Sequence, residues 1–210
     1  MVAIQSLVER LAAVFAEGEN KLEAMRARDQ YFERAGQVFD DDGDLFEGRM
    51  ASFLEWYIVE RRFRDGPPPA VRILADGRAG FSADDRRAAA HLSTSHRSLF
   101  ELQALKGGRL EVDDLIGGAR FSIIERRKPV GFERGALFEA RLLWDGAAVV
   151  FGKTFLFHPP DARARVLQIV DKAAHAGTPP ADVLFHLSRL HIRWHRLGHL
   201  AAARNYGGDG

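Results

Sequence analysis

The chain has 210 residues, of which 46% are hydrophobic and 28% charged, and its formal net charge is +1. This composition is typical of a folded protein and excludes a chain that is disordered throughout. The absence of cysteine excludes disulfides, thiolate catalysis and cysteine-ligated metal clusters. The length favours a single domain, or one domain with a small appendage.

The N-terminal part is predicted to be a helical hairpin. Apolar residues recur at three- and four-residue intervals through residues 2–39, as in an amphipathic helix, and the pattern weakens around Gly18. Asp44 and Glu47 have the spacing of a capping box and open the second helix. The first segment does not have the pattern of a signal peptide, and no apolar run approaches the ~20 residues of a membrane span. We therefore expect a cytoplasmic protein.

Four phenylalanines follow at seven-residue intervals across this hairpin: Phe32, Phe39, Phe46 and Phe53. The acidic turn after the second of them interrupts any continuous coiled coil. We interpret all four as core aromatic residues.

A Gly-Pro-Pro-Pro connector at residues 66–69 marks the predicted internal boundary. Beyond it, Ser82 and Asp85 form a second capping pair, which predicts a helix over residues 83–93. The predicted segments are the helical hairpin over 1–65, a linker with a short helix over 66–96, a β module over 97–160, and C-terminal helices over 161–206. We expect the C-terminal helices to pack against both the hairpin and the β module, as one unit.

The hydrophobic period changes to two within the β module. The predicted strands cover residues 98–105, 109–115, 120–125, 136–144 and 147–157. Paired glycines and an Asp-Gly dipeptide between them favour tight hairpins. Five short strands connected in this way predict an antiparallel sheet, either curled or closed into an SH3-like barrel. The predicted fold class is therefore α+β.

Two helices are predicted to finish the chain, over residues 161–176 and from the N-cap Thr178 onward, with Pro179 in its first turn. An apolar stripe on the last helix contains Val183, Leu187, Leu190, Trp194, Leu197 and Ala201. Phe185 and Ile192 lie on the opposite side, which indicates that this helix is covered twice, by another part of the chain or by another subunit. The tail from Tyr206 is expected to be loose.

Basic side chains form a candidate partner-binding surface in two places. The last helix carries Arg189, Arg193 and Arg196, and the turn after the third strand carries Arg126, Arg127 and Lys128. Such cations favour contact with nucleic-acid phosphates or with an acidic protein partner.

Three histidines, His191, His195 and His199, follow one another at four-residue intervals on the last helix. This spacing can place two imidazoles on one metal ion. Because arginines lie beside them and oppose a bound cation, we expect partly exposed polar residues instead, and neither a metal nor a cofactor.

The stretches SHRSLFEL, GGRLEVDDLIGGARFSIIERR, LFEARLLWDG and FGKTFLFHP lie in order between residues 95 and 160. Together they resemble the β module of uncharacterised bacterial proteins that often occur beside the SEC-C metal-binding motif. The preceding FLEWYIVERRF is similar to the helix before that module, so the resemblance covers roughly residues 50–160. The cysteines of the SEC-C motif are absent, so the resemblance implies the module without its zinc site, and it implies no catalytic residue.

No phosphate-binding glycine loop, dinucleotide fingerprint or nucleophile elbow is present in the sequence, which predicts that the protein is not an enzyme. The preferred hypothesis is a binding, adaptor or regulatory protein that acts through protein–protein contacts or self-association. Two alternatives stay open: a nucleic-acid-binding regulator that uses the basic last helix, and a metal-binding protein that uses its histidines.

Overall fold

The structure is a computed structural model that describes residues 2–75, 80–125, 132–197 and 202–207. It confirms the α+β class, with helices at both ends of the chain and a five-stranded antiparallel sheet between them. Among the helices described, none combines the length and the apolar character needed to cross a membrane.

The five strands and most of the helices follow the predicted order along the chain. The helices are α1 (Val2–Ala16), α2 (Lys21–Ala35), α3 (Asp44–Val59), α4 (Pro69–Ala75), α5 (Ala83–Ser93), α6 (Arg163–His175), α7 (Pro180–Arg196) and α8 (Ala202–Asn205). The strands are β1 (His96–Lys106), β2 (Arg109–Asp114), β3 (Arg120–Ile124), β4 (Leu137–Trp144) and β5 (Val149–Phe157). Two short helices, α4 and α8, were not predicted.

Local chemistry explains where several helices begin and end. The helix expected over residues 2–39 is two helices, because Gly18 has a φ of 56° and the chain passes through a short 3-10 turn there. The Ser82–Asp85 capping box is confirmed: the Ser82 hydroxyl accepts the Asp85 amide at 3.1 Å, and the Asp85 carboxylate accepts the Ser82 amide at 2.9 Å. The expected cap at Asp44 is wrong, since Gly43 is the N-cap and has no side chain to donate or accept.

The chain forms two compact units. The first unit contains Met1–Phe32, Phe39–His96 and Leu142–Thr154. The second contains Glu33–Val38, Arg97–Arg141 and Phe155–Gly210. Each unit therefore combines segments that are distant in the sequence.

Aromatic side chains form much of the core of the first unit. Tyr31 contacts the rings of Phe53 and Trp56, with centroids 5.7 and 5.3 Å away. The Tyr57 hydroxyl donates to the carbonyl oxygen of Phe15 over 2.6 Å. Phe39 is 56% exposed, so its assignment to the core was wrong. It precedes the short turn of three aspartates, which holds it at the surface.

Tyr57 makes the stability of the protein sensitive to alkaline pH. Burial, with a smaller contribution from Glu23, raises the pKa of Tyr57 to about 12 from its ordinary value of 10.0. Between pH 10 and 12 the unfolded chain therefore loses this proton while the folded chain retains it, and the free energy of unfolding falls as the pH rises. Tyr57→Phe should reduce this slope in urea unfolding curves recorded from about pH 9 to 11.5. An unchanged slope would contradict the assignment.

The five strands form an open sheet in the order β3-β2-β1-β4-β5. Strand β1 pairs antiparallel with β2, and a bulge interrupts their register between Leu102 and Ala104. Because β3 and β5 are edges in the part of the sheet that the structure describes, the closed SH3-like barrel is not formed. The open sheet was the other predicted alternative.

The core of the second unit lies between the helices α6 and α7 and the adjoining strands. Leu187 is fully buried there with Leu99 and Val166. A second group of rings surrounds Phe138, whose centroid lies 5.2 Å from Phe132 and 5.3 Å from Phe157. This ring cluster borders a pocket of the second unit.

Helix α7 is covered on two sides, as the positions of Phe185 and Ile192 predicted. The Arg34 guanidinium lies over the Phe185 ring at 3.8 Å from its centroid, and Arg34 also bonds to the Asp182 carboxylate. Gly36 has a φ of 93°, and a Cβ on it would lie 3.2 Å from Cδ1 of Ile192, so both its backbone conformation and this tight contact favour glycine. The second cover is thus the segment Glu33–Val38 of the same chain.

The expectation of a loose tail was wrong for Tyr206. This residue is buried, because its ring completes the apolar core between α6 and α7. The Arg165 guanidinium also donates to its carbonyl oxygen at 3.0 Å. Residues 208–210 lie outside the described part of the chain.

Candidate functional site

A pocket of about 960 Å³ opens in the second unit. Strand β1 and the ends of β4 and β5 provide one side, and the start of α6 and the last turns of α7 provide the other. Apolar surface comes from Leu137, Phe157, Pro160 and Trp194. This volume lies within the range of small-molecule binding pockets in proteins.

Trp194 is the largest side chain of the pocket wall. It is half-buried and packs against the apolar core of the second unit, and its ring lies 5.6 Å from that of His191. Within the residues that the structure describes, its indole N–H has no acceptor. The ring thus combines a fixed apolar face with an unused hydrogen-bond donor, which is the usual reason for tryptophan at binding surfaces.

Two charged groups of the pocket wall neutralise each other. Arg163, the first residue of α6, donates from its guanidinium to the Glu101 carboxylate over 2.6 Å. The pair joins β1 to α6 across the mouth of the pocket. Because the Arg163 side chain is partly exposed, we assign the pair a positioning role and little net stability.

Two further charged groups, Glu133 and Arg134, lie on the turn that precedes β4. The Gly135 amide donates to the Leu102 carbonyl at 2.7 Å, and Leu102 donates to Ala136 at 3.0 Å, which ties this turn to β1. Gly135 has a φ of 83°, a conformation that favours glycine. Glu133 and Arg134 are both exposed, and neither side chain has an ion-pair or hydrogen-bond partner among the described residues.

A buried polar network lies behind the pocket wall and centres on Glu139. Arg97 approaches the Glu139 carboxylate to 3.3 Å, Ser188 donates to it at 3.2 Å, and Nε2 of His158 lies 3.6 Å away. Nδ1 of His158 lies 2.9 Å from the Tyr206 hydroxyl. Burial and the negative charges of Glu139 and Asp161 raise the pKa of Tyr206, so this hydroxyl stays protonated and can donate.

His158 and the Tyr206 hydroxyl thus share a hydrogen bond through Nδ1, while Nε2 faces the Glu139 carboxylate without a hydrogen bond among the described residues. The pocket reaches the residue, yet the imidazole itself is 0% exposed. Ser188 is also 0% exposed. These groups therefore hold β4, α7 and α8 together, and a ligand in the pocket does not touch their reactive atoms.

The arginines of the predicted basic surface differ in their contacts within the chain. The Arg189 guanidinium donates to the carbonyl oxygens of Glu33 and Arg34, where it caps the end of α2. Arg193 is exposed and has no partner among the described residues, and Arg196 is exposed near the end of α7. The predicted residues Arg126, Arg127 and Lys128 lie outside the described residues.

The histidines of α7 differ from one another in exposure. His191 is buried and its ring lies 6.1 Å from that of His158, so the expectation of partial exposure was wrong for it. His195 is exposed, and His199 lies outside the described residues. Within the described ranges, no three histidine, cysteine or acidic side chains are grouped closely enough to hold a metal ion.

Sequence reasoning missed five charged residues of the pocket: Glu101, Glu133, Arg134, Asp161 and Arg163. Trp194 was correctly placed on the apolar stripe of α7, but its second role at the pocket was not predicted. The one available signal was the Phe-Glu-Arg-Gly run before β4, in which charged residues lie between an aromatic residue and a glycine. Such runs are common in ordinary turns.

No protein-family model, curated protein or solved structure gives a significant match to this chain. The resemblance to the β module of SEC-C-associated proteins therefore stays a prediction.

Proposed function

We propose that the protein is a non-catalytic binding protein whose ligand is a small organic molecule held in the pocket of the second unit. The observation that carries the proposal is Trp194, which lines a pocket of about 960 Å³, packs against the apolar core, and has an indole N–H with no acceptor among the described residues. The lining of the pocket supports the proposal, because small-molecule sites also combine an apolar wall with a few unpaired polar groups.

The burial of the reactive side chains favours binding over catalysis. A nucleophile and a general base must come within hydrogen-bond distance of a substrate. Ser188 and the imidazole of His158 are sealed from solvent, and the nearby carboxylate of Glu139 is committed to Arg97 and Ser188.

The other hypotheses stay predictions. A role as an adaptor through protein–protein contacts is compatible with a ligand-binding pocket, since one protein can bind both a small ligand and a protein partner. A nucleic-acid-binding role would depend less on Arg189 than on Arg193, because Arg189 already bonds to backbone carbonyls. The cytoplasmic location rests on the sequence alone.

An NMR titration of ¹⁵N-labelled protein tests the pocket without assuming the charge of the ligand. The probes are indole, benzoate and benzylamine, which are aromatic and respectively neutral, anionic and cationic. We expect at least one of them to shift the indole N–H signal of Trp194 and the amide signal of Gly135. The chain has three tryptophans, so single replacements assign the indole signals.

The matched variants are Trp194→Leu and Trp144→Leu. Trp144 is 46% exposed at the end of β4 and does not line the pocket. We expect the first replacement to remove the shift at Gly135 and the second to preserve it. Probe-induced shifts that never involve Trp194 or Gly135, or that persist in Trp194→Leu, would contradict the proposed function.

A further inference from the structure

The charges of the pocket restrict the chemistry of its ligand. Glu101 and Arg163 bond to each other and neutralise one pair. Among the residues that the structure describes, the cation of Arg134 and the carboxylates of Glu133 and Asp161 then remain at the wall. A purely anionic ligand would meet two uncompensated carboxylates, and a purely cationic ligand would meet an uncompensated guanidinium.

Arg134 is suited to hold a carboxylate. Its guanidinium is exposed and has no partner within the described part of the chain. A planar guanidinium binds a carboxylate through two parallel hydrogen bonds, which gives direction as well as attraction. The turn that carries Arg134 is tied to β1 through the Gly135 amide, so the backbone that carries this cation has a defined position.

Asp161 and Glu133 are suited to accept an ammonium group. One oxygen of Asp161 accepts the Ala202 amide at 2.9 Å, which anchors the carboxylate. Its second oxygen has no hydrogen-bond partner among the described residues, and Glu133 is unpaired as well. An ammonium group has three donors and can pair with either carboxylate.

The apolar part of the ligand has a separate place. Trp194 and Phe157 both line the pocket, and Phe157 is held by the rings of Phe132 and Phe138 at 5.2 and 5.3 Å. Aromatic ligand groups gain offset-stacked or edge contacts with such rings.

From these three features we infer that the ligand is a zwitterion with an ammonium group, a carboxylate and an aromatic or bulky apolar group, supplied either by a free amino acid or by a short peptide. The inference rests on the proposed function of the pocket. The volume of about 960 Å³ exceeds the needs of one amino acid and leaves room for a dipeptide.

Isothermal titration calorimetry with matched probes tests the inference. The probes are L-phenylalanine, phenylalaninamide, N-acetylphenylalanine and the dipeptide Phe-Phe. Loss of the ligand's carboxylate or ammonium group should weaken binding about fivefold each, the effect of one partly exposed ion pair. Tighter binding of Phe-Phe would identify a peptide source, and tighter binding of L-phenylalanine a free amino acid.

Two protein variants test whether Arg134 binds the carboxylate of the ligand. Arg134→Gln should weaken the binding of L-phenylalanine about fivefold and leave the binding of phenylalaninamide unchanged. The carboxamide group of phenylalaninamide is neutral, so Arg134 has no carboxylate to bind there. Arg193→Gln is the matched control, since Arg193 is an exposed, unpaired arginine that does not line the pocket. Equal effects of the two replacements would overturn the assignment.

The experiments distinguish a wrong ligand class from a wrong assignment of the pocket as a binding site. If benzoate or benzylamine shifts Trp194 but binds as tightly as L-phenylalanine, the pocket stands and the zwitterion is wrong. If no probe shifts the indole N–H signal of Trp194, the proposed function itself is wrong.

Discussion

Replacing Arg97 with methionine should lower the free energy of unfolding by about 3–5 kcal/mol. The change keeps an unbranched apolar stem beside Phe185 but removes the cation that lies 3.3 Å from the buried carboxylate of Glu139. A buried carboxylate that loses its cation has no solvent to replace it, which is why this loss is large. Urea unfolding followed by circular dichroism measures the change.

The surface pair Arg87–Asp84 provides the matched control. It has the same chemistry, with 2.6 Å between the charged atoms, but both side chains are largely exposed. Arg87→Met should therefore cost less than about 1 kcal/mol. Adding Glu139→Gln to Arg97→Met should recover part of the lost stability, because the uncompensated charge is then removed. A similar small loss in both arginine variants would show that Glu139 does not depend on Arg97.

Phe138→Ala should cost about 3–5 kcal/mol, the usual effect of deleting a fully buried aromatic ring. The ring contacts those of Phe100, Phe132, Phe155 and Phe157, so its removal leaves a cavity among four neighbouring rings. Thermal or urea unfolding measures the loss. The replacement should also weaken probe binding at the pocket, because Phe157 loses its support.

Trp144→Ala on the same strand is the control for this replacement. Trp144 is a larger side chain, but it is partly exposed at the end of β4. We expect a loss well below that of Phe138→Ala, because solvent fills the space that the indole leaves. Equal losses would contradict the placement of Phe138 at the centre of its ring cluster.

Much of the secondary structure could be predicted from local patterns. The helix over Ala83–Ser93 agrees with the prediction at both ends because Ser82 and Asp85 form their hydrogen bonds within one turn. Strands β1 to β5 also follow the period-two pattern to within about two residues. Both signals depend only on neighbours along the chain, so no tertiary contact was needed to recognise them.

The errors arose where tertiary contacts decide. Phe39 has the spacing of a core residue, yet it lies beside a turn at the surface. Tyr206 follows a short helix near a glycine-rich end, yet it is buried because His158 and the apolar core lie next to it. His191 likewise lies at the flank of the apolar stripe but is covered by His158 and Trp194.

The candidate site could not be predicted, because its groups meet only after folding. Glu101 and Arg163 are separated by 62 positions and bond across the mouth of the pocket. Arg134 and Trp194 each have an ordinary local setting, a charged turn and a helical apolar stripe. Neither setting distinguishes a residue at a pocket from one at any other place on the surface.

The sequence by itself determined the α+β class, the order of the helices and strands, and the absence of cysteine chemistry, because periodicity, caps and composition act over a few residues. Only the tertiary structure decided that the sheet is open, that Arg189 caps α2, and that Glu133, Arg134 and Trp194 lie at one pocket. The physical reason is that charge pairing and burial depend on distances in space, and residues far apart in the chain acquire those distances only when the chain is folded.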